Sequence, residues 1–275
     1  MKLIHFYKNN QLYWGMVEAS HVIPCPFQGR FDDLIQQDIY FDRTKTIALE
    51  EIRYAPPVLN PSKIIAIGLN YKDHAQEGKI DIPKHPLVFT KFSNALQGHQ
   101  NPIIWNDSIT QQVDFEAELA VIIGKKIYRA SEQESIAAVY GYTIANDVSA
   151  RDLQFGDGQW VRGKSLNTFC PLGPWIVTVD DIPDPHQLSI QCRLNGQIMQ
   201  NSSTDQMIFS ITELISFLSY HFTLFPGDII LTGTPSGVGV FRKPPIFLKN
   251  NDEIIVEISS IGQLINTCQI NKDNL

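Results

Sequence analysis

The sequence predicts a mainly β, α+β fold. Many short apolar runs are separated by turn signals, and only two stretches carry a firm helix signature. Strands and helices do not alternate, so a doubly wound parallel sheet does not fit. No internal repeat or low-complexity segment appears in the sequence.

Residues 1–56 predict a small N-terminal β domain. Residues 2–7 and 12–18 form a hairpin around Lys8-Asn9-Asn10, with Val22-Ile23-Pro24 as a third short strand and a helical turn at 31–35. From Tyr54 to Pro61 three prolines remove donors and restrain their predecessors, which places a boundary there, with the main domain over 57–275.

In that domain residues 63–68 predict a buried strand leading into a helix-compatible turn at 72–77, and residues 88–92 a second strand. Residues 113–123 predict a long strand. Ser131 and Glu134 form a capping-box pattern opening a helix to Tyr140, and residues 142–145 are a strand delivering Asp147 at its end. Asn195-Gly196 marks a type I′ hairpin. Ser210 and Glu213 cap a helix with Ile211, Leu214, Ile215 and Leu218 on one face. A strand at 229–231 follows, then a last hairpin pairing 253–259 with 263–269.

The 113–123 strand carries the chemistry. Side chains alternate faces in a strand, so Asp114, Glu116 and Glu118 share one face, while Val113, Phe115, Ala117, Leu119, Val121 and Ile123 fill the other. Alone, that alternation describes a solvated face. Here the strand runs on into Ala120-Val121-Ile122-Ile123, apolar on both faces, so the carboxylates lead into a core. They then repel one another and lose solvation unless a cation or proton offsets them.

Composition excludes several function classes. The chain has 275 residues, 43% hydrophobic and 19% charged, with net charge -7. An acidic pI near 5.5 does not suggest a nucleic-acid or anionic-membrane surface. No run approaches a bilayer span, and Met1–Lys8 lacks a secretory h-region. Cys25, Cys170, Cys192 and Cys268 lack knuckle or redox spacing and read as free thiols in a reducing cytoplasm.

Five segments, Gly68–His74, Phe115–Ala120, Gly141–Gln154, Gly163-Lys164-Ser165 and Pro226–Gly239, together resemble the fumarylacetoacetate hydrolase superfamily in order and type. The resemblance covers roughly residues 60 to 270. It implies a mixed β-roll core, a divalent cation, a homodimer and chemistry on a 2-oxo or enol acid.

Residue by residue, the resemblance places metal carboxylates on Glu116, Glu118 and Asp147. Oxygen ligands favour Mg²⁺ or Mn²⁺, with Ca²⁺ a further option, and no His or Cys in these segments recommends zinc. Lys164 falls on the family's active-site lysine, which would stabilise an enolate. His74 and Glu77, spaced i, i+3 on a helical turn, match a base and its orienting carboxylate on a lid. Arg151 and Gln154 match a substrate-contacting element. Thr234 would present its hydroxyl and amide to an oxyanion, with Lys91 on the pocket wall. Two departures, the short 155–159 loop and Leu166-Asn167, lie where substrate shape would be read.

The expected activity is metal-dependent hydrolysis of acylpyruvate-like substrates or isomerisation of 2-hydroxydienedioates, of aromatic-catabolite type. Oxaloacetate decarboxylation is an alternative sharing the same enolate, and a catalytically silent metal or dicarboxylate binder is another.

Overall fold

The computed structural model describes residues 1–271. A twelve-stranded mixed sheet forms the spine. From one edge it runs Ile47–Ala48, His21–Pro24, Gln11–Glu18, Lys2–Lys8, Cys170–Thr178, Val139–Asn146, Ala117–Ile123, Ile229–Leu231, Ile64–Gly68 and Leu87–Lys91. Arg53–Tyr54 and Leu96–Gln97 pair off this path. A five-stranded sheet, built on Ser189–Leu194, Glu253–Ile258 and Gly262–Asn271, packs against its inner face. The mainly β expectation holds.

Ala117–Ile123 is buried along its whole length because both its faces meet cores. Leu119, Val121 and Ile123 join the cluster shared with the five-stranded sheet and with helix Ile211–His221. Ala120 and Ile122 point the other way, into a second cluster containing Leu3, Trp14, Phe31 and Leu34. Residues 1–56 thus extend the main sheet, with Leu3 opposite Ile176, and cover its back face.

The local turn signals act as read. Asn9 and Asn10 both take positive φ, as do Asn195 and Gly196. Both capping boxes form. The first helix, however, spans only Glu132–Ile136 rather than running to Tyr140, because Val139 already opens the next strand. Two short helices, Arg151–Gly156 and Val161–Lys164, flank and partly enter the expected 155–159 loop, where no helix was predicted. At four to six residues they are too short to show helical period.

Two buried histidines make folding pH-dependent. His5 stacks on Trp14 with ring centroids 4.0 Å apart, and His99 Nδ1 accepts the Ile265 N–H at 3.0 Å. Burial lowers each pKa from 6.5 to about 4. The unfolded chain takes up these protons below pH 6.5 while the folded chain does so only near 4. Stability present above 6.5 is therefore lost across that window, at up to about 1.4 kcal/mol per pH unit for each ring. Urea midpoints at pH 7 and pH 5 should differ less in His5→Phe than in the parent protein. An equal drop in both would remove His5 as a cause.

Candidate active site

The predicted carboxylate strand is interrupted. Val113–Asp114 pairs with Ser149–Ala150, Phe115 and Glu116 leave the ladder, and Ala117–Ile123 resumes in the large sheet. Asn146 bridges the gap. Its Oδ1 accepts the Glu116 N–H at 3.0 Å, and the Asp147 N–H donates to the Glu116 carbonyl at 2.9 Å. Two backbones are thereby held side by side, and the carboxylate oxygens of Glu116, Glu118 and Asp147 come within 4.8 Å of one another, all buried. Alternation of faces survives the break, since Val113 and Phe115 still enter the core with Leu119.

Asp114 is turned away from this group. It accepts the Gly239 and Val240 amides at 2.8 and 3.0 Å and Arg151 Nε at 2.9 Å, anchoring the loop after Thr234.

Three buried cations face these acids. Lys164 Nζ lies 2.9 Å from Glu116 Oε2 and 2.7 Å from Asp147 Oδ2. Its helix can approach because residue 163 is glycine. A Cβ there would stand 2.6 Å from Gln154 N and 2.8 Å from Ala150 O. Lys91 Nζ sits 2.5 Å from Asp147 Oδ1 and 3.1 Å from the Val148 carbonyl. Arg151 Nη1 meets Glu116 Oε1 at 2.6 Å and Gln154 Oε1 at 2.9 Å.

Four buried carboxylates therefore face three cations, which leaves one negative charge over. The excess falls on Glu118. Its carboxylate accepts the Gly233 N–H at 2.8 Å, an amide that a φ of +97° at Gly233 aims inward. Burial, then Asp147 and Glu116, push its pKa well above the ordinary range. Glu116 shows the opposite balance. Burial pushes it up, but Lys164 and Arg151 outweigh that and hold it at about 2. Three converging carboxylates with an uncompensated charge fit a hard divalent cation.

Across the cavity, helix Lys72–Gly78 carries His74 and Glu77. His74 Nδ1 lies 3.2 Å from Glu77 Oε2, leaving Nε2 as the free nitrogen of the pair. Both Glu77 oxygens also accept the Gly237 N–H, at 3.0 and 3.1 Å, and the Ser202 hydroxyl donates to Asp73 at 2.6 Å. These contacts clamp the helix over the 233–239 loop and strand Gln197–Ser203.

A cavity of about 210 Å³ separates His74 from Glu116, Glu118 and Lys164, with Arg151, Gln154 and Thr234 also on its lining. The sequence-derived set is thus brought together, with one change of place and two side chains already committed to partners. Lys91 is not on the cavity wall but behind it, against Asp147, because a buried carboxylate holds its ammonium. The Thr234 hydroxyl is already committed, donating to the Ala117 carbonyl at 2.9 Å and accepting Gln200 Nε2 at 2.8 Å. Arg151 likewise spends its guanidinium on Asp114, Glu116 and Gln154 rather than standing free. Sequence reasoning missed Gln200, whose Oε1 also accepts the Ala117 N–H at 2.9 Å. It missed the aromatic wall of Phe89, Trp160 and Phe241 as well. Phe89 lies in a predicted strand, but no spacing in these segments marks a side chain as facing the site.

Comparison with known proteins identifies the family and the fold. The family described as "Fumarylacetoacetate (FAA) hydrolase C-terminal" matches residues 63–269. "Oxaloacetate tautomerase FAHD2A, mitochondrial" of Bos taurus is 50% identical over 218 residues, 78% of this chain and 69% of that protein. Among solved structures, a fumarylacetoacetate hydrolase from psychrophilic Exiguobacterium antarcticum superposes with a TM-score of 0.90 at 35% identity, over 98% of this chain and 100% of that one. A 2-hydroxyhepta-2,4-diene-1,7-dioate isomerase from Mycobacterium marinum gives 0.84 at 32%, over 99% and 100%.

Proposed function

The chain belongs to the fumarylacetoacetate hydrolase family of enzymes, and on that premise we propose that it interconverts the keto and enol forms of a 2-oxo acid, oxaloacetate foremost. The observation that carries this reading is the His74–Glu77 pair, facing a carboxylate triad and a lysine across one cavity. Keto–enol exchange needs only a proton acceptor over C3 and a positive centre at the C2 oxygen.

Glu116, Glu118 and Asp147 would hold a divalent cation, Mg²⁺ or Mn²⁺ in preference to Ca²⁺, whose Lewis acidity polarises the 2-oxo group. With it the buried site changes from one negative charge in excess to one positive, which suits an anionic substrate. His74 would take the C3 proton and return it, while Glu77 fixes the imidazole tautomer. Lys164 would hold the charge that develops on the C2 oxygen. Arg151 orients Glu116, and Gln154 offers its amide to the substrate.

The same pair could deprotonate water, so C–C hydrolysis of an acylpyruvate is the second reading. Decarboxylation makes less use of a base. A homodimer belongs to this proposal, with exposed Val88 and Phe92 near the outer edge strand offered to a second copy. A monomer mass by light scattering at all concentrations would remove it. The four buried free thiols accord with the cytoplasm, and no helix among the described residues is long and apolar enough to cross a membrane.

Proton NMR in deuterated water tests the reaction. With Mg²⁺ the enzyme should accelerate deuterium entry at C3 of oxaloacetate, and oxalate, a mimic of the enolate, should block it. At a hundredfold excess over Kd, oxalate should also stabilise the fold by about 2.7 kcal/mol. Exchange no faster than in buffer would overturn the proposal.

A further inference from the structure

We propose that the enzyme also tautomerises 2-oxo acids whose C3 carries an aryl or branched alkyl group, with phenylpyruvate as the representative. The inference rests on the keto–enol reading and names a further substrate class for the same site.

It starts from what surrounds the two groups that would act on C3 and on the C2 oxygen. The Phe241 ring lies 5.6 Å from the His74 ring. Lys164 Nζ stands 5.1 Å over the Phe89 ring, and Trp160 meets Phe89 edge-on at 5.2 Å. A substituent on the carbon that His74 serves must therefore lie among aromatic rings.

The cavity mouth continues this character. Ile80, Leu87 and Phe155 line it while 49%, 46% and 60% exposed. Apolar side chains gathered around a charged floor lose hydration cost when an apolar group covers them.

Charge points the same way. Of the side chains lining the cavity, the lysine and arginine are Lys164 and Arg151, and each is already held by buried carboxylates. A carboxylate carried further out than the C4 carboxylate of oxaloacetate would leave water to face the aromatic wall without a new partner. An aryl group would instead stack there.

The step balances without a co-reactant. The enol O–H bond breaks, its electrons form the C2=O bond, and the C=C pair takes a proton at C3. His74 and solvent exchange the single proton that moves.

The experiment follows ultraviolet decay of enol phenylpyruvate and enol oxaloacetate with the Mg²⁺-loaded enzyme. In parallel, calorimetry compares oxamate with oxanilate, its N-phenyl derivative. Phenylpyruvate decay should be accelerated, and oxanilate should bind at least about tenfold tighter than oxamate from burial of the phenyl ring. Ile80→Lys, at a half-exposed position, should lower the ratio of kcat/KM for phenylpyruvate to that for oxaloacetate severalfold. Trp160→Ala should erase the oxanilate advantage. Acceleration of oxaloacetate alone, or oxanilate no tighter than oxamate, overturns the inference and leaves the keto–enol reading standing. Acceleration of neither acid overturns both.

Discussion

Glu118→Gln is expected to weaken Mg²⁺ binding by at least about a hundredfold while raising the melting temperature of the metal-free protein. Loss of an outer-shell partner typically costs about 10–100-fold in metal affinity, and Glu118 is proposed as a direct ligand. The opposite effect on stability follows from its surroundings. Glu118 is fully buried beside Asp147 and Glu116, and among the described residues it is the one acid of the cluster without an ion pair. Glutamine keeps the shape, can still accept the Gly233 N–H through its oxygen, and removes the repulsion. Calorimetric Mg²⁺ titration and melting in a chelator read the two effects. Unchanged affinity would remove Glu118 as a ligand, and a lower metal-free melting temperature would contradict the charge count.

His74→Gln should lower kcat for enol–keto conversion by about 10²–10⁴, the usual contribution of a positioned general base. Mg²⁺ affinity should hardly change, because the imidazole lies across the cavity from the three proposed ligands. Glu77→Gln should cost less in kcat. The ring survives, but its Nδ1 partner loses charge, and a neutral amide also weakens the clamp on Gly237. Steady-state rates at saturating Mg²⁺ beside metal titration check both. Full activity in His74→Gln would reduce the helix to packing.

What the sequence made legible was local or periodic. The 113–123 alternation sent Val113, Phe115, Ala117, Leu119, Val121 and Ile123 to the core as read, though Asp114 turns away from Glu116 and Glu118. Both capping boxes were visible because their partners stand three residues apart. The interruption at Phe115–Glu116 was not visible. It depends on the Asn146 side chain, 30 residues from the amide it accepts, and no spacing rule links them. Lys91 was misplaced for the same reason, since its partner Asp147 lies 56 residues on and only the fold brings them together. Arg151 and Lys164 were identified by motif, yet the short helices that aim them were hidden by glycine and brevity. Motif matching supplied identities, and the paired backbones supplied charge balance.

The most direct test of the central claim is the ultraviolet decay of enol oxaloacetate with native, chelator-treated and Mg²⁺-restored enzyme. The account predicts fast decay that falls to the buffer rate on chelation, returns with Mg²⁺, and does not return in Glu118→Gln. Decay that stays fast in excess chelator and in Glu118→Gln would contradict it.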